Sequence, residues 1–525
     1  VLCVSLLMIG LDNTILSVAL PTLVRQLHAS SSQLQWIVDS YTIVFAGLLL
    51  VAGSLGDRFG RKWALLGGLA IFTLGSALSA FARSPEILIL TRALMGVGGA
   101  FVMPATLSIL TNVFIDPGQR EKAIGLWAGV AGVGVAIGPI AGGLLLQHFW
   151  WGSVFLINVP IVAAGMAAAV FLVPNSSDPS APRLDSVGAG LSIAGLSLLL
   201  WGIIEAPMTG WVSARVIGGM AAGIAILGAF LAWELHSDHP MLNLGFFRNR
   251  RFSGACAAVT LGMFGLFGTL FVLTQHLQFV LGYSALGAGI RFIPLAGVLL
   301  IGGPLSTVLV RRFGTKAVAG FGLTTVAAGI AWMSTVSDGS TYLTHVLGPI
   351  ILLGLGLGLT IAPATEAIMG ALPRAQAGVG SAMNSSVMQV GGALGVAVIG
   401  SILASGYRSV VGATLAGHNV PAVAATAIRS SVGGALEVAH HAPPALGAAL
   451  AAVARHGFVH GMGLAMPVAA GVALAGAVVV LIFLPARAEG DPDAGSEGRG
   501  PLEHDEATEP ATEEVGTRVP AGALR

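Results

Sequence analysis

The sequence predicts an all-α integral membrane protein with fourteen transmembrane helices, arranged as two six-helix halves plus two additional central helices. Three observations carry this reading. Of 525 residues, 55% are hydrophobic and 9% are charged, whereas soluble domains carry roughly 25% charged residues. Fourteen apolar runs lie between charged or Gly/Pro breaks, each near the roughly 20 residues that cross a bilayer core. With the N-terminus inside, the loops of one side hold Arg58, Arg61, Lys62, Arg120, Lys122, Arg183, Arg248, Arg250, Arg251, Arg311, Arg312, Lys316 and Arg374, while the short loops of the other side hold little beyond Arg25 and Arg83. That asymmetry supports the even count and puts both termini in the cytoplasm.

Runs 1–20, 37–56, 63–82, 87–111, 123–147 and 152–173 make an N-terminal half, 1–175. The opening run lacks a basic lead and a cleavage site, so it reads as a span and not as a removed signal. Its missing Met and short lead suggest absent cytoplasmic residues or a non-AUG start. Runs 187–205 and 213–235 make the inserted pair, 184–236. Runs 253–275, 288–310, 317–335, 343–369, 378–404 and 464–484 make the C-terminal half, 250–485, with a long Ala/Gly-rich external loop at 405–463. Segment 486–525 has no apolar run, and after Arg487 it carries ten acids and three arginines; a disordered acidic cytoplasmic tail is expected. "GSLGDRFGRK" (53–62) is echoed by "GPLSTVLVRRFGTK" (303–316), which hints that the halves are repeats, although the second copy lacks the aspartate.

Composition also excludes chemistry. Cys3 and Cys256 sit in apolar runs and read as small buried hydrophobes, with no disulfide framework. His456 and His460 have one-turn spacing but no third ligand, so no metal is assigned. No Walker loop or dinucleotide fingerprint follows a strand, so no cofactor and no ATP are expected. No constellation of catalytic side chains marks an enzyme, and nucleic acid is not an expected partner. Three lysines against 22 arginines, with abundant Ala and Gly, fit a GC-rich bacterial genome and hence a bacterial plasma (inner) membrane.

What remains is a handful of charges in apolar surroundings. "LDNTILSVALPTL" (11–23) sets Asp12 inside the first span, where a carboxylate costs about 2.5–3.5 kcal/mol on insertion scales and therefore faces a cavity or a partner. "TRALMGVGGAFVMPA" (91–105) puts Arg92, Gly96, Gly99 and Met103 at helical spacing. Arg92 needs an acid, Asp12 or Asp39, unless it snorkels to the outer interface. Asp39, in "QWIVDSYTIVFAG" (35–47), is either a second membrane acid or a cap near the start of the second span. Glu366 is a proton site or an interfacial residue, and Gln275 and Gln278 face substrate or cap outward. In "GLWAGVAGVGVAIGPIAGGLLL" (125–146), Gly134, Gly138 and Gly142 form a ladder for close packing, with Pro139 bending the helix and Gly143 beside it.

Several of these stretches together resemble one family. "GSLGDRFGRKWALLGG" (53–68) fits the signature between the second and third spans of the major facilitator superfamily, and fourteen spans resemble its drug:H+ antiporter family, including the multidrug and quaternary ammonium compound exporters. The resemblance implies the major facilitator fold, gating by Gly53, Gly56, Asp57, Arg58, Gly60, Arg61 and Lys62, and an antiporter helix at Gly134, Gly138, Pro139, Gly142 and Gly143. Asp57 is expected to meet a helix N-terminus or an arginine across the cytoplasmic seam in one state only. Asp12, Asp39, Arg92 and Glu366 become the candidates for coupling protons to substrate. "FLINVP" (155–160), "QFVLGYSALGAGIRFIP" (278–294) and "GVGSAMNSSVMQVGGALGVAVIGSIL" (378–403) extend the likeness to about residue 485. The expected activity is proton-driven efflux of hydrophobic small molecules or antibiotics, cations among them, by a monomer in the lipid bilayer. A narrow exporter of one metabolite or of a self-made antibiotic is the alternative, and a membrane enzyme or sensor a remote one. Exporters of dications carry further acids in the tenth and thirteenth spans, where this chain has Arg291 and Asn384, Ser385, Ser386.

Overall fold

A chain in lipid must pair its backbone polar groups within itself, and this one does so by helices. The computed structural model describes residues 1–114, 116–177, 185–237, 240, 244–337, 339–372, 377–416 and 420–485, and among these no strand occurs. The N-terminal half consists of α1 (Leu2–Leu27), α2 (Ser31–Phe59), α3 (Arg61–Ala80), α4 (Pro85–Val113), α5 (Pro117–His148), and a sixth span made of α6 (Ser153–Leu156) and α7 (Asn158–Leu172). The inserted pair is α8 (Ser186–Thr209) and α9 (Ala214–His236). In the C-terminal half, α10 (Arg250–Gln275) runs on through a π-helical turn, His276–Val280. The tenth span is broken into α11 (Ala285–Ile290) and α12 (Ile293–Phe313); α13 (Thr315–Met333) follows, then α14 (Tyr342–His345) with α15 (Leu347–Gly370). The last elements are α16 (Ala377–Leu415), α17 (Ala422–Ser430), α18 (Val432–His441) and α19 (Pro444–Phe483). Among the described residues, twelve stretches are long and apolar enough to cross a membrane, thirteen with the bent α2; α5 is a further long helix of 32 residues.

Side chains placed at the helix ends fix these boundaries. Ser30 caps α2 by accepting from the Gln33 amide while the Gln33 side chain accepts from the Ser30 amide, a reciprocal box. Ser84, Asp185, Ser213, Asn249 and Ser284 each accept from a first-turn amide of the helix they open. Gly60, at φ 120°, turns the chain directly from α2 into α3, a conformation that strains any residue with a Cβ.

Pairing repeats between the halves. The first span packs on the fifth, the second on the fourth, and the third on the fourth and sixth. Correspondingly, α10 packs on α16, α12 on α15, and α13 on α15 and α19. The inserted α8 lies on α9 and against both α2 and α16. It is tied to the first half by Ser32 Oγ donating to the Ile204 carbonyl at 3.3 Å, and Trp211 in the α8–α9 turn donates to Ser405 of α16 at 3.1 Å.

Segment 405–463 departs most from expectation. Helix α16 continues to Leu415 and α19 begins at Pro444, about 20 residues before the run that hydropathy marks, and α17 and α18 lie between them. Hydropathy finds only what lipid requires, whereas alanine continues a helix into water without needing to be buried. The acidic tail, 486–525, and Arg183 and Arg374 fall outside the described residues.

Helices α17 and α18 and the start of α19 lie over the seam between the halves. Ser31 Oγ donates to the Ser430 carbonyl at 2.9 Å. Gly433 of α18 lies so close to Val24 of α1 and Phe279 of the π turn that a Cβ there would meet Val24 at 2.5 Å and Phe279 at 2.7 Å. Gln278 Nε2 donates to the Val18 carbonyl at 2.9 Å, and Arg455 Nε of α19 donates to the Phe279 carbonyl at 3.3 Å. Gln275 and Gln278 are thus buried and not outward caps: Gln278 bridges the halves, and Gln275 bonds back to the Phe271 carbonyl of its own helix.

Candidate functional site

Asp12 is completely buried, and its Oδ2 accepts from Nη1 of Arg92 on α4 at 2.6 Å. Its other oxygen accepts from Asn158 Nδ2 of α7 at 3.2 Å. Asn158 also donates to Ser76 of α3 at 3.1 Å, and Ser76 donates to the Phe155 carbonyl at 2.8 Å. On the arginine side, Nε donates to the Ile37 carbonyl of α2 at 3.2 Å, and the guanidinium lies 4.4 Å over the ring of Tyr41. Five helices therefore converge on one ion pair. Arg92 is 2% exposed; it does not snorkel. Charged pairs removed from water hold only where hydrogen bonds complete the geometry; Asn158 and the Ile37 carbonyl supply them here, and the Tyr41 ring faces the guanidinium.

Asp39, nine residues into α2, is also fully buried, and neither oxygen has a hydrogen-bond partner. Ser30 is the cap of that helix, so Asp39 is not. An ionised carboxylate left so would carry its full desolvation penalty, which a bound proton or a cation would each remove. Glu366, on α15, is exposed and is not brought to this cluster.

A cavity opens beside the ion pair, between the halves. Asn13, Ser17 and Leu20 of α1, Val38 and Thr42 of α2, and Arg92 form one wall; Phe267 and Phe271 of α10 and Gln389 and Val396 of α16 form the other. Its lining mixes apolar side chains with the Asn13 and Gln389 amides, the Ser17 and Thr42 hydroxyls and the Arg92 guanidinium. Asn13, next to Asp12 in sequence, places the acid directly behind the wall.

The glycines of α5 bring α1 to its position. A Cβ at Gly134 would meet the Leu7 carbonyl at 2.6 Å, one at Gly138 the Leu11 carbonyl at 3.0 Å and Thr14, and one at Gly142 Ile15 at 2.8 Å. Only bare backbone fits, and it seats α1 on both sides of Asp12. The other side of α5 meets the second half: a Cβ at Gly143 would come to 2.5 Å from Leu286 Cα, and Gly289 of α11 lies against the Pro139 carbonyl.

At the C-terminal end of α2, Asp57 accepts from Arg61 Nε at 2.6 Å and from Ser108 of α4 at 2.9 Å through the same oxygen. In this state Asp57 pairs with Arg61 at the start of α3, because the turn at Gly60 folds α3 back beside it. Lys62 Nζ donates to the Val170 carbonyl at 2.7 Å and the Arg61 amide to the Ser176 carbonyl at 2.9 Å, so the loop is fastened to the end of α7. Arg58 stays exposed beside Phe59, while Gly53 and Gly56 face Pro104 and Ala64. Asp57→Asn is expected to lower transport about tenfold, the equivalent of one hydrogen bond to a charged group, with unchanged membrane abundance; initial efflux rates normalised to protein check it.

Sequence reasoning missed Asn158 and Tyr41. A lone Asn in "FLINVP" was the available signal for the first; Tyr41 lay two residues after Asp39 without a charge to mark it.

A bundle of two alike halves closing on a cavity with a buried ion pair in its wall defines a membrane solute transporter. The chain belongs to the Major Facilitator Superfamily, whose pattern matches residues 2–396. It is 38% identical to the multidrug efflux pump LfrA of Mycolicibacterium smegmatis, over 91% of this chain and 94% of that one. It is 36% identical to the tetracenomycin C resistance and export protein of Streptomyces glaucescens, over 91% and 89%. Its identity to the methyl viologen resistance protein SmvA of Salmonella typhimurium is also 36%, over 86% and 90%. Among solved structures, a bacterial homolog of the human lysosomal transporter Spinster, inward-facing and unoccupied, shares the fold with a TM-score of 0.65 at 17% identity, covering 93% of this chain and 98% of that one.

Proposed function

We propose that this protein is a proton-coupled multidrug efflux transporter, a drug:H+ antiporter that exports hydrophobic small molecules, cations and antibiotics among them, across the bacterial plasma membrane. The observation that carries the reading is the buried Asp12–Arg92 pair, with Arg92 in the wall of the central cavity and Asp12 directly behind it. Kinship with drug-export and drug-resistance proteins supports the direction. With the outer seam covered, substrate reaches the cavity from the cytoplasmic side or the inner leaflet. Protonation of Asp12 releases Arg92 and loosens the junction of α1, α2, α4 and α7; Asp39 supplies a second place for a proton or a cation. In the outward-facing state the acids take protons and substrate leaves; in the inward-facing state they lose them and substrate enters. The cycle needs no cofactor and no ATP, it is transport and not enzyme chemistry, and one chain, with both halves and both termini in the cytoplasm, suffices.

The energy is adequate. A charge crossing the membrane gains about 2.3 kcal/mol per 100 mV, so one proton entering under ~180 mV supports roughly a thousandfold gradient at ~1.4 kcal/mol per decade. Everted vesicles energised with an inward-acid gradient are expected to accumulate ethidium and to release it when nigericin collapses the gradient. Accumulation that survives nigericin would sink proton coupling. The narrower reading, export of one oxygenated antibiotic, is favoured by the neutral Asn13, Ser17 and Gln389 on the cavity wall, and it predicts no ethidium movement at all.

A further inference from the structure

A second hollow lies between α2, α8 and α16, bounded by Ile43, Ala46, Leu196, Leu200, Ala393 and Leu394. It is apolar except where it shares Thr42 and Gln389 with the central cavity. Its outer wall is the inserted helix α8, whose Ile193 presses on Gly47 of α2 and which is fastened near its outer end to both halves by the Ser32–Ile204 and Trp211–Ser405 hydrogen bonds. Leu200, Ile204, Ile43, Ala393 and Ala397 form a small packed cluster of their own beside it.

We propose that this hollow is a side chamber of the substrate site, which takes the apolar arm of an exported amphiphile while its polar head stays in the central cavity. The proposal rests on the efflux reading above and deepens it, because it makes α8 part of substrate selection. The shared Thr42 and Gln389, which border both hollows, point to the occupant. A molecule lying across Thr42 and Gln389 would meet both compartments, the amide and hydroxyl facing its polar head and leucines and alanines surrounding its tail. A chamber walled by an aliphatic helix selects for arm size and not for charge, since one methylene more or less in such a pocket changes binding by a modest factor that accumulates with length.

The test uses the full chain in proteoliposomes, with proton release as readout and two probes of one charge, methyltriphenylphosphonium and heptyltriphenylphosphonium. Ala393→Leu fills the chamber and is expected to raise the KM for the heptyl probe about tenfold, leaving the methyl probe unchanged. Leu196→Ala enlarges the chamber and is expected to lower the heptyl KM severalfold, a gain that a misfolded variant cannot produce. Equal effects on both probes, or none on either, would overturn the chamber. A wild-type protein that releases protons with neither probe, nor with ethidium or an oxygenated polyketide antibiotic, would overturn the efflux reading itself.

Discussion

Asp12→Asn is expected to reduce pH-driven efflux by at least about 100-fold and to destabilise the folded protein. The two effects have different origins. Removing one partner of a buried ion pair leaves the other charge uncompensated, at about 3–5 kcal/mol, and Arg92 is left with the Ile37 carbonyl, the Met95 sulfur and the Tyr41 ring, none of them an anion. The transport loss follows from the chemistry: an amide cannot take and give the coupling proton. Asp12→Asn combined with Arg92→Gln separates the two, because no charge is then stranded. The double variant should recover most of the melting temperature in detergent and none of the efflux. Recovery of proton-driven efflux by the neutral pair would transfer the coupling role to Asp39.

Gly138→Leu should be as damaging, through packing alone. Its new side chain would have to enter the contact with Thr14 and the Leu11 carbonyl, where neither backbone can retreat without moving α1. Overpacking of ordinary cores costs about 1–3 kcal/mol, and a backbone-to-backbone contact in lipid belongs at or above the top of that range. Loss of folded protein, read as membrane abundance and monodispersity, is the expected result. Gly67→Leu is the matched control, since a Cβ there meets nothing within 4 Å, and it should leave abundance unchanged.

How much of this was visible beforehand depended on the kind of residue. Asp12 and Arg92 stood out because a charge in an apolar run is an anomaly that demands a partner, and the partner proved to be one of the two acids expected. Asn158 and Tyr41 did not stand out, since neutral polar side chains are common in membrane helices and become informative only when the fold brings a charge beside them. The glycines of α5 announced close packing without saying what packs there; the answer, α1 on one side and α11 on the other, needed the tertiary arrangement. Asp57 was recognised through its motif, but a motif fixes the end of a helix and not the direction of a carboxylate, so its pairing with Arg61 went unforeseen. Segment 405–463 differs in form because the hydropathy of alanine-rich helix is too weak to mark where a helix starts or stops.

The bare flank of α5 also bears on how easily the two halves move. Side chains that interlock must change rotamer before surfaces slide, and each such change adds to the barrier. Where Pro139 and Gly143 meet Gly289 and Leu286, main chain lies on main chain, so the joint has almost nothing to unhook. It is a smooth joint, and the polar ties between the halves lie elsewhere, at Ser31–Ser430 and Gln278–Val18.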